Sequence, residues 1–330
     1  MKPMASKISG AVLCFILLAL FSLCEANPAY RNNIRDTPPP EKKTILLPNG
    51  ETCAFVELGI KQKDTASLLL IHGNNSSSLF YIPLFRRLTG VHIIAPDLRG
   101  FGDSSYNNDY CSFAELAQDI KFLADALGIA KVHVAAWSLG SGPAYELALK
   151  YPEFVSSLFI IQGMSHRGLP AVFQSDLEPY ANKSDMAANA VIQNQVYNLE
   201  TKNRSYFETL WNNTVYIVRK PGRADSNVYI TENLKMRCLA DAYWAMANFN
   251  ISVFHNGYAE GTGAVGDILC PVTLTRADKD LMIPPVIIND VNTAIPHSKV
   301  LNYSNCGHSL MVDMPDKLAS DILVHMNTVQ

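Results

Sequence analysis

Three stretches of this 330-residue chain carry residue types that together suit acyl transfer by a serine nucleophile. In Val132-His133-Val134-Ala135-Ala136-Trp137-Ser138-Leu139-Gly140-Ser141-Gly142, an apolar strand runs directly into a turn of small residues and then into a helical pattern through Ala144 to Leu149. A serine in that setting sits on a strained strand-to-helix turn, with Oγ exposed and the N-terminus of the next helix aimed at negative charge. Ala136 stands where glycine is usual, while Gly140 and Gly142 leave room for strand and helix to approach. An attacking serine also needs amide donors for the oxyanion that forms on the carbonyl. The Leu139 N–H is one candidate. The Asn74 N–H is the other, in His72-Gly73-Asn74-Asn75, which turns sharply after a buried strand.

The base and the acid are sought further along. His308, in Asn305-Cys306-Gly307-His308-Ser309, follows the last strand pattern and precedes the last helix, which puts it at the same sheet edge as Ser138 and makes it the expected general base. His297, in Ile295-Pro296-His297-Ser298, precedes that strand and falls at the opposite edge. His72 leads the oxyanion loop, and in this arrangement the base comes last in the chain. Arg276-Ala277-Asp278-Lys279-Asp280-Leu281-Met282-Ile283-Pro284 offers two carboxylates. Asp280 is the expected acid, because the apolar residues after it should bury it where it can hold the imidazole tautomer. Asp278 is expected to face solvent or cap the turn.

The elements that must position these residues show as alternating patterns. Short β-branched runs at Thr44 to Leu47, Cys53 to Leu58, Ser67 to His72, Val91 to Ala95, Val132 to Ala136 and Ser157 to Gln162 read as strands. Helical spacing is clearest from Phe113 to Leu127, with Gly128 as the stop. Strand–helix repetition predicts an α/β fold with a doubly wound, mostly parallel sheet. The pattern breaks near Gly163 and resumes near Cys270 with strands Val272 to Arg276 and Lys299 to Tyr303, a helix after Pro284 and a last helix from Pro315. The chain therefore divides into a first core part, 43–162, an inserted helical lid, 163–268, and a second core part, 269–330. The insertion is rich in aromatics and amides: Phe173, Tyr180, Tyr197, Tyr206, Phe207, Trp211, Tyr216, Tyr243, Trp244 and Phe249. Asp97-Leu98-Arg99-Gly100-Phe101-Gly102-Asp103-Ser104 follows the fourth strand, and its glycines and Asp97/Arg99 pair read as architecture, with no P-loop lysine or Rossmann spacing beside them.

Composition bounds what surrounds this chemistry. Hydrophobic residues make up 48% and charged residues 17%, enough for one large core. Lys2 and Lys7, the apolar run Ala11 to Leu23 and the small-residue exit at Cys24-Glu25-Ala26 predict a signal peptide over 1–26. That run falls short of the roughly 20 residues a bilayer span needs, so no stable membrane anchor is expected and the secretory pathway or its exterior is. A Pro-rich extended arm should occupy 27–42. Without residues 1–26 the chain carries 25 basic and 29 acidic residues, a balance that gives no reason to expect nucleic acid as a partner. Cys53, Cys111, Cys238, Cys270 and Cys306 would then lie in an oxidising compartment, where one or two disulfides are expected. No zinc-like spacing occurs among them. Seven N-x-S/T sequons begin at Asn74, Asn75, Asn182, Asn203, Asn212, Asn250 and Asn302, which points to a glycoprotein.

Through His72-Gly73, Asp97-x-Arg99-Gly100-x-Gly102-x-Ser104, the Ser138 turn, Asp280 and Gly307-His308, the chain resembles the α/β-hydrolase family over nearly the whole segment after residue 26. A finer likeness, to bacterial intracellular short-chain polyhydroxyalkanoate depolymerases, is carried by Leu98-Arg99-Gly100-Phe101-Gly102-Asp103-Ser104-Ser105-Tyr106-Asn107, Trp137-Ser138-x-Gly140-x-Gly142, Phe249-Asn250-Ile251-Ser252, Asn256-Gly257 and Gly261-Thr262-Gly263. The resemblance implies hydrolysis of a small-molecule ester, short-chain or hydroxyalkanoate, through Ser138, His308 and Asp280 without metal or organic cofactor. The alternatives are a lipase for longer acyl chains and a non-catalytic member that only binds a ligand. Relatives that act on haloalkanes or epoxides carry Asp at the nucleophile position, where this chain has Ser138.

Overall fold

The computed structural model describes residues 38–63, 65–168 and 179–329; the apolar N-terminal run, most of the arm and Phe173 lie outside them. Eight strands form one sheet: β1 (Lys43–Leu46), β2 (Thr52–Leu58), β3 (Ser67–Ile71), β4 (Ile93–Pro96), β5 (Val132–Trp137), β6 (Val155–Ile161), β7 (Val272–Ala277) and β8 (Lys299–Tyr303). Their spatial order is β1-β2-β4-β3-β5-β6-β7-β8. From β4 to β8 neighbouring strands run parallel, and β1 and β2 close one edge antiparallel. Every residue of the central strand β5 is buried, as a parallel strand covered on both faces requires. Each strand lies within two residues of the bounds read from the sequence.

Helices α1 (Ile82–Phe85), α2 (Phe113–Ala126) and α3 (Ser141–Lys150) belong to the first core part. Between β6 and β7 come α4 (Lys183–Ala187), α5 (Ala190–Glu200), α6 (Arg204–Thr214), α7 (Arg223–Asn233) and α8 (Leu239–Asn248). Helices α9 (Pro285–Ala294), α10 (Leu310–Asp313) and α11 (Pro315–Asn327) complete the described chain. Ser112 and Glu115 cap α2 reciprocally, and Gly128, at φ +64°, ends the chain's turn beyond it. None of the described helices is long and apolar enough to cross a membrane.

Most insertion aromatics bury themselves rather than face solvent. Phe80 of the core stacks on Tyr229 of α7 with ring centroids 4.5 Å apart and lies 5.1 Å from Trp211 of α6. Trp211 in turn reaches Trp137, the neighbour of Ser138, at 6.2 Å. Tyr197 and Phe254 are exceptions, with 62% and 59% of their surfaces exposed.

Two expectations need correction. All five described cysteines are free thiols, so the one or two disulfides are absent; Cys53 and Cys238 are buried, each bonding weakly to a backbone carbonyl. Asp97 and Arg99 are architectural but do not pair with each other. Arg99 grips Asp119 of α2 with two hydrogen bonds of 2.8 and 2.7 Å, while Asp97 serves the loop after β3.

Candidate active site

β3 ends at Ile71 directly opposite Ala136 of β5, so the turns that follow leave the sheet side by side. A Cβ on Gly73 would lie 3.1 Å from Ser138 Cβ, and one on Gly140 would lie 2.5 Å from the Ile71 carbonyl oxygen. Hydrogen at these two positions is what lets the loops touch. Ser138 adopts φ +53°, a conformation costing about 1–3 kcal/mol for a residue with a side chain. Its carbonyl accepts from Ser141 Oγ at 2.7 Å, and that hydroxyl accepts from Met164 N–H at 3.0 Å, tying the strained turn to the segment after β6. The half-buried Ser138 hydroxyl has no hydrogen-bond partner among the described residues.

His308 is 3% exposed and held from three sides. Its Nδ1–H donates to Asp280 Oδ2 at 2.8 Å, which leaves the lone pair of the neutral imidazole on Nε2. Its carbonyl accepts from Trp137 Nε1 at 2.9 Å, and the two rings lie 5.4 Å apart, so the imidazole is held against the neighbour of Ser138. The preceding Gly307 N–H donates to Asp313 Oδ2 at 2.7 Å. Asp280 is itself buried, and its Oδ1 accepts from Met282 N–H at 2.7 Å and Ile283 N–H at 2.9 Å. The apolar stretch after Asp280 thus supplies amide donors as well as burial.

The other sequence candidates are placed as follows. Asp278 is exposed and accepts from Cys306 N–H at 3.1 Å; backbone donors at Asn305 and Cys306 hold its carboxyl below the usual range. His297 is exposed near the start of β8, its Nε2 3.1 Å from the Cys270 carbonyl. His72 is buried: Nε2 accepts from Leu98 N–H at 3.0 Å and Nδ1–H donates to the Gly73 carbonyl at 2.8 Å. Burial pushes its pKa down to about 4, so it is a neutral brace for the loop. Asn74 is half-buried, and its Oδ1 accepts from Asn75 N–H at 2.9 Å; Leu139 is buried at the start of the turn into α3.

Sequence reasoning missed the groups that brace these loops from afar. Asn75, at φ +53°, presents Oδ1 to Asn233 Nδ2 of α7 at 3.3 Å, and Asn233 Oδ1 accepts from Trp211 Nε1 at 2.9 Å. Lys42, assigned to the arm, is buried at its side chain and contacts Asp97, Asp103 and Glu232. These three carboxylates are close enough together for a cation, and the Lys42 ammonium supplies one. Asp97 then fixes Ser78 after the β3 loop, accepting from its N–H at 2.8 Å and its Oγ at 2.6 Å. Asp313 joins Gly307 to the insertion by accepting from Arg219 N–H at 3.1 Å. Buried polar residues with partners this distant in sequence leave no local pattern; the one available signal was a carboxylate in the otherwise apolar Leu310-Met311-Val312-Asp313-Met314.

A mostly parallel sheet carrying a strained serine turn and a buried Asp–His pair at one edge defines an α/β protein with a hydrolase-like centre. Residues 66–315 match the alpha/beta hydrolase fold family, and the chain belongs to it. Among curated relatives, Lipase 1 of Psychrobacter immobilis is 26% identical over 85% of this chain and 82% of its own length. Rhodomycin D methylesterase of Streptomyces sp. (strain C5) is 26% identical over 86% and 97%. An esterase structure from Exiguobacterium antarcticum superposes with TM-score 0.67 at 15% identity, covering 87% of this chain and all of that one, a likeness of fold.

Proposed function

We propose that this chain is a serine hydrolase of carboxylic esters, working through an acyl-enzyme. Ser138 Oγ gives its proton to His308 Nε2 and attacks the ester carbonyl carbon. The carbonyl oxygen becomes an oxyanion facing the Asn74 and Leu139 amides, and Asp280 offsets the charge on the imidazolium. His308 returns the proton to the departing alcohol, and water then clears the acyl group with His308 again as base. The observation that carries this reading is the 2.8 Å bond from His308 Nδ1 to Asp280, made on a loop pinned to Trp137 beside the strained Ser138. Family membership and relatives called lipase and methylesterase support an ester rather than another carbonyl.

The substrate is proposed to be a short-chain or hydroxyalkanoate ester. The depolymerase-like motifs and the amide-rich insertion support it, including Tyr243, whose hydroxyl donates to Gln195 Oε1 at 3.1 Å. The names of the lipase relatives favour the second reading, longer acyl chains. The N-terminal 26 residues support a secretory destination. Chain-length profiling with p-nitrophenyl esters and 3-hydroxybutyrate oligomers tests the proposal: the highest kcat/KM is expected on acyl groups of about four carbons. A profile that climbs toward long chains supports the lipase reading instead, and no turnover of any ester contradicts both.

A further inference from the structure

One buried polar residue beside the acid has no part in the chemistry above. Gln162 follows the last residue of β6, is completely buried and adopts φ +44°, a conformation that a residue with a side chain keeps only when its surroundings impose it. Its N–H donates to Thr275 Oγ1 of β7 at 3.0 Å, which fixes the backbone. The side-chain amide lies between Ala277 N–H and Asp280. A backbone N–H needs an acceptor and a carboxylate needs a donor, so the amide oxygen accepts from Ala277 N–H at 2.7 Å and Nε2 donates to Asp280 Oδ2 at 3.2 Å. That is the oxygen which also takes the His308 Nδ1–H. Asp280 therefore receives four donors: Met282 and Ile283 on Oδ1, and His308 and Gln162 on Oδ2.

We infer that Gln162 is a positioning residue for the acid–base pair, holding the Asp280 carboxylate in the plane from which it meets the imidazole. An apolar side chain of similar length would leave the Ala277 N–H and one lone pair of Asp280 buried without partners. The donor also draws charge from Oδ2, which tempers how strongly Asp280 stabilises the imidazolium. Asp313, on α10, is an ionisable group close enough to Asp280 for their charges to interact. This inference rests on the proposed roles of Ser138, His308 and Asp280.

The experiment compares the full chain with Gln162→Leu and Gln162→Glu on a p-nitrophenyl ester, with thermal melts and fluorophosphonate labelling alongside. Gln162→Leu should lower kcat roughly tenfold with little change in KM, and move the acid limb of kcat/KM upward as imidazolium gains from the undiluted carboxylate. Gln162→Glu should keep activity while its buried side chain stays a protonated acid that still donates to Asp280, and lose it on the alkaline side as that proton leaves. A pH profile unmoved in both variants, or in Gln162→Glu alone should Gln162→Leu not fold, overturns the inference. If the unmodified chain is labelled at Ser138, that failure concerns Gln162 only; if Ser138 is never labelled, the proposed function fails first.

Discussion

At the scale of residues, the site depends on small distances around Ser138 and on the donors around Asp280. Ala136, Gly140 and Ser138 could be read from sequence, because a strained turn at a strand end admits few residue types. The choice of Asp280 over Asp278 followed from its apolar neighbours, and the structure places Asp280 in the core against His308 while Asp278 caps an exposed loop. What no local pattern could give is the set of donors on Asp280, since amide geometry decides it. That set makes Asp280→Asn informative. The Met282 and Ile283 N–H groups would hold the asparagine oxygen, turning its NH2 toward His308 and forcing the proton from Nδ1 to Nε2. A fall in kcat of roughly a thousandfold or more is expected, in a variant that still folds. Retention of more than a tenth of the activity would remove Asp280 from its proposed role.

At the scale of elements, the strands and the helical character of the insertion were legible, and the packing of the insertion's helices was not. β-branched runs bounded by turn residues announce a buried parallel strand on their own. The insertion helices are positioned instead by buried contacts far apart in the chain, such as Asn233 with Asn75 and Lys42 with Glu232. A consequence is that α7 braces the loop holding Asn74, so the insertion would share in the proposed catalytic geometry. Asn233→Leu would strand Trp211 Nε1 and Asn75 Oδ1, at about 1–3 kcal/mol for each buried unsatisfied group. Urea denaturation should show a loss of that order, and kcat should fall while Lys42 still ties α7 to the core. Full activity in a destabilised variant would confine Asn233 to stability.

At the scale of the whole molecule, buried histidines set the acid limit of stability. Burial pushes His72 and His325 down to about 4, and lowers His133 and His166 as well. Unfolded histidine titrates near 6.5, so the unfolded chain binds more protons between about pH 4 and 6.5. The stability held in these neutral rings is complete above that window and drains away as pH falls through it. Asp313, pushed up to about 6 by burial, works in the opposite sense: its cost is full above pH 6 and is relieved on acidification. Burial raises Asp119 and Glu146 in the same sense as Asp313, and the four histidines outweigh these three carboxylates. The urea midpoint should therefore fall between pH 7 and pH 4.5, and His325→Gln should flatten the fall; a midpoint that rises on acidification would contradict this balance. Sequons divide at the same scale. Asn250 is buried with Nδ2 spent on the Phe254 and Ala259 carbonyls, whereas Asn182, Asn203 and Asn302 are exposed.

All of these effects converge on one hydroxyl. Mass spectrometry of peptides after fluorophosphonate treatment reports directly on whether it is the nucleophile. The adduct should appear on Ser138 and vanish in Ser138→Ala. A folded, ester-cleaving protein whose adduct lies on another residue, or one that hydrolyses esters undiminished as Ser138→Ala, would contradict the account.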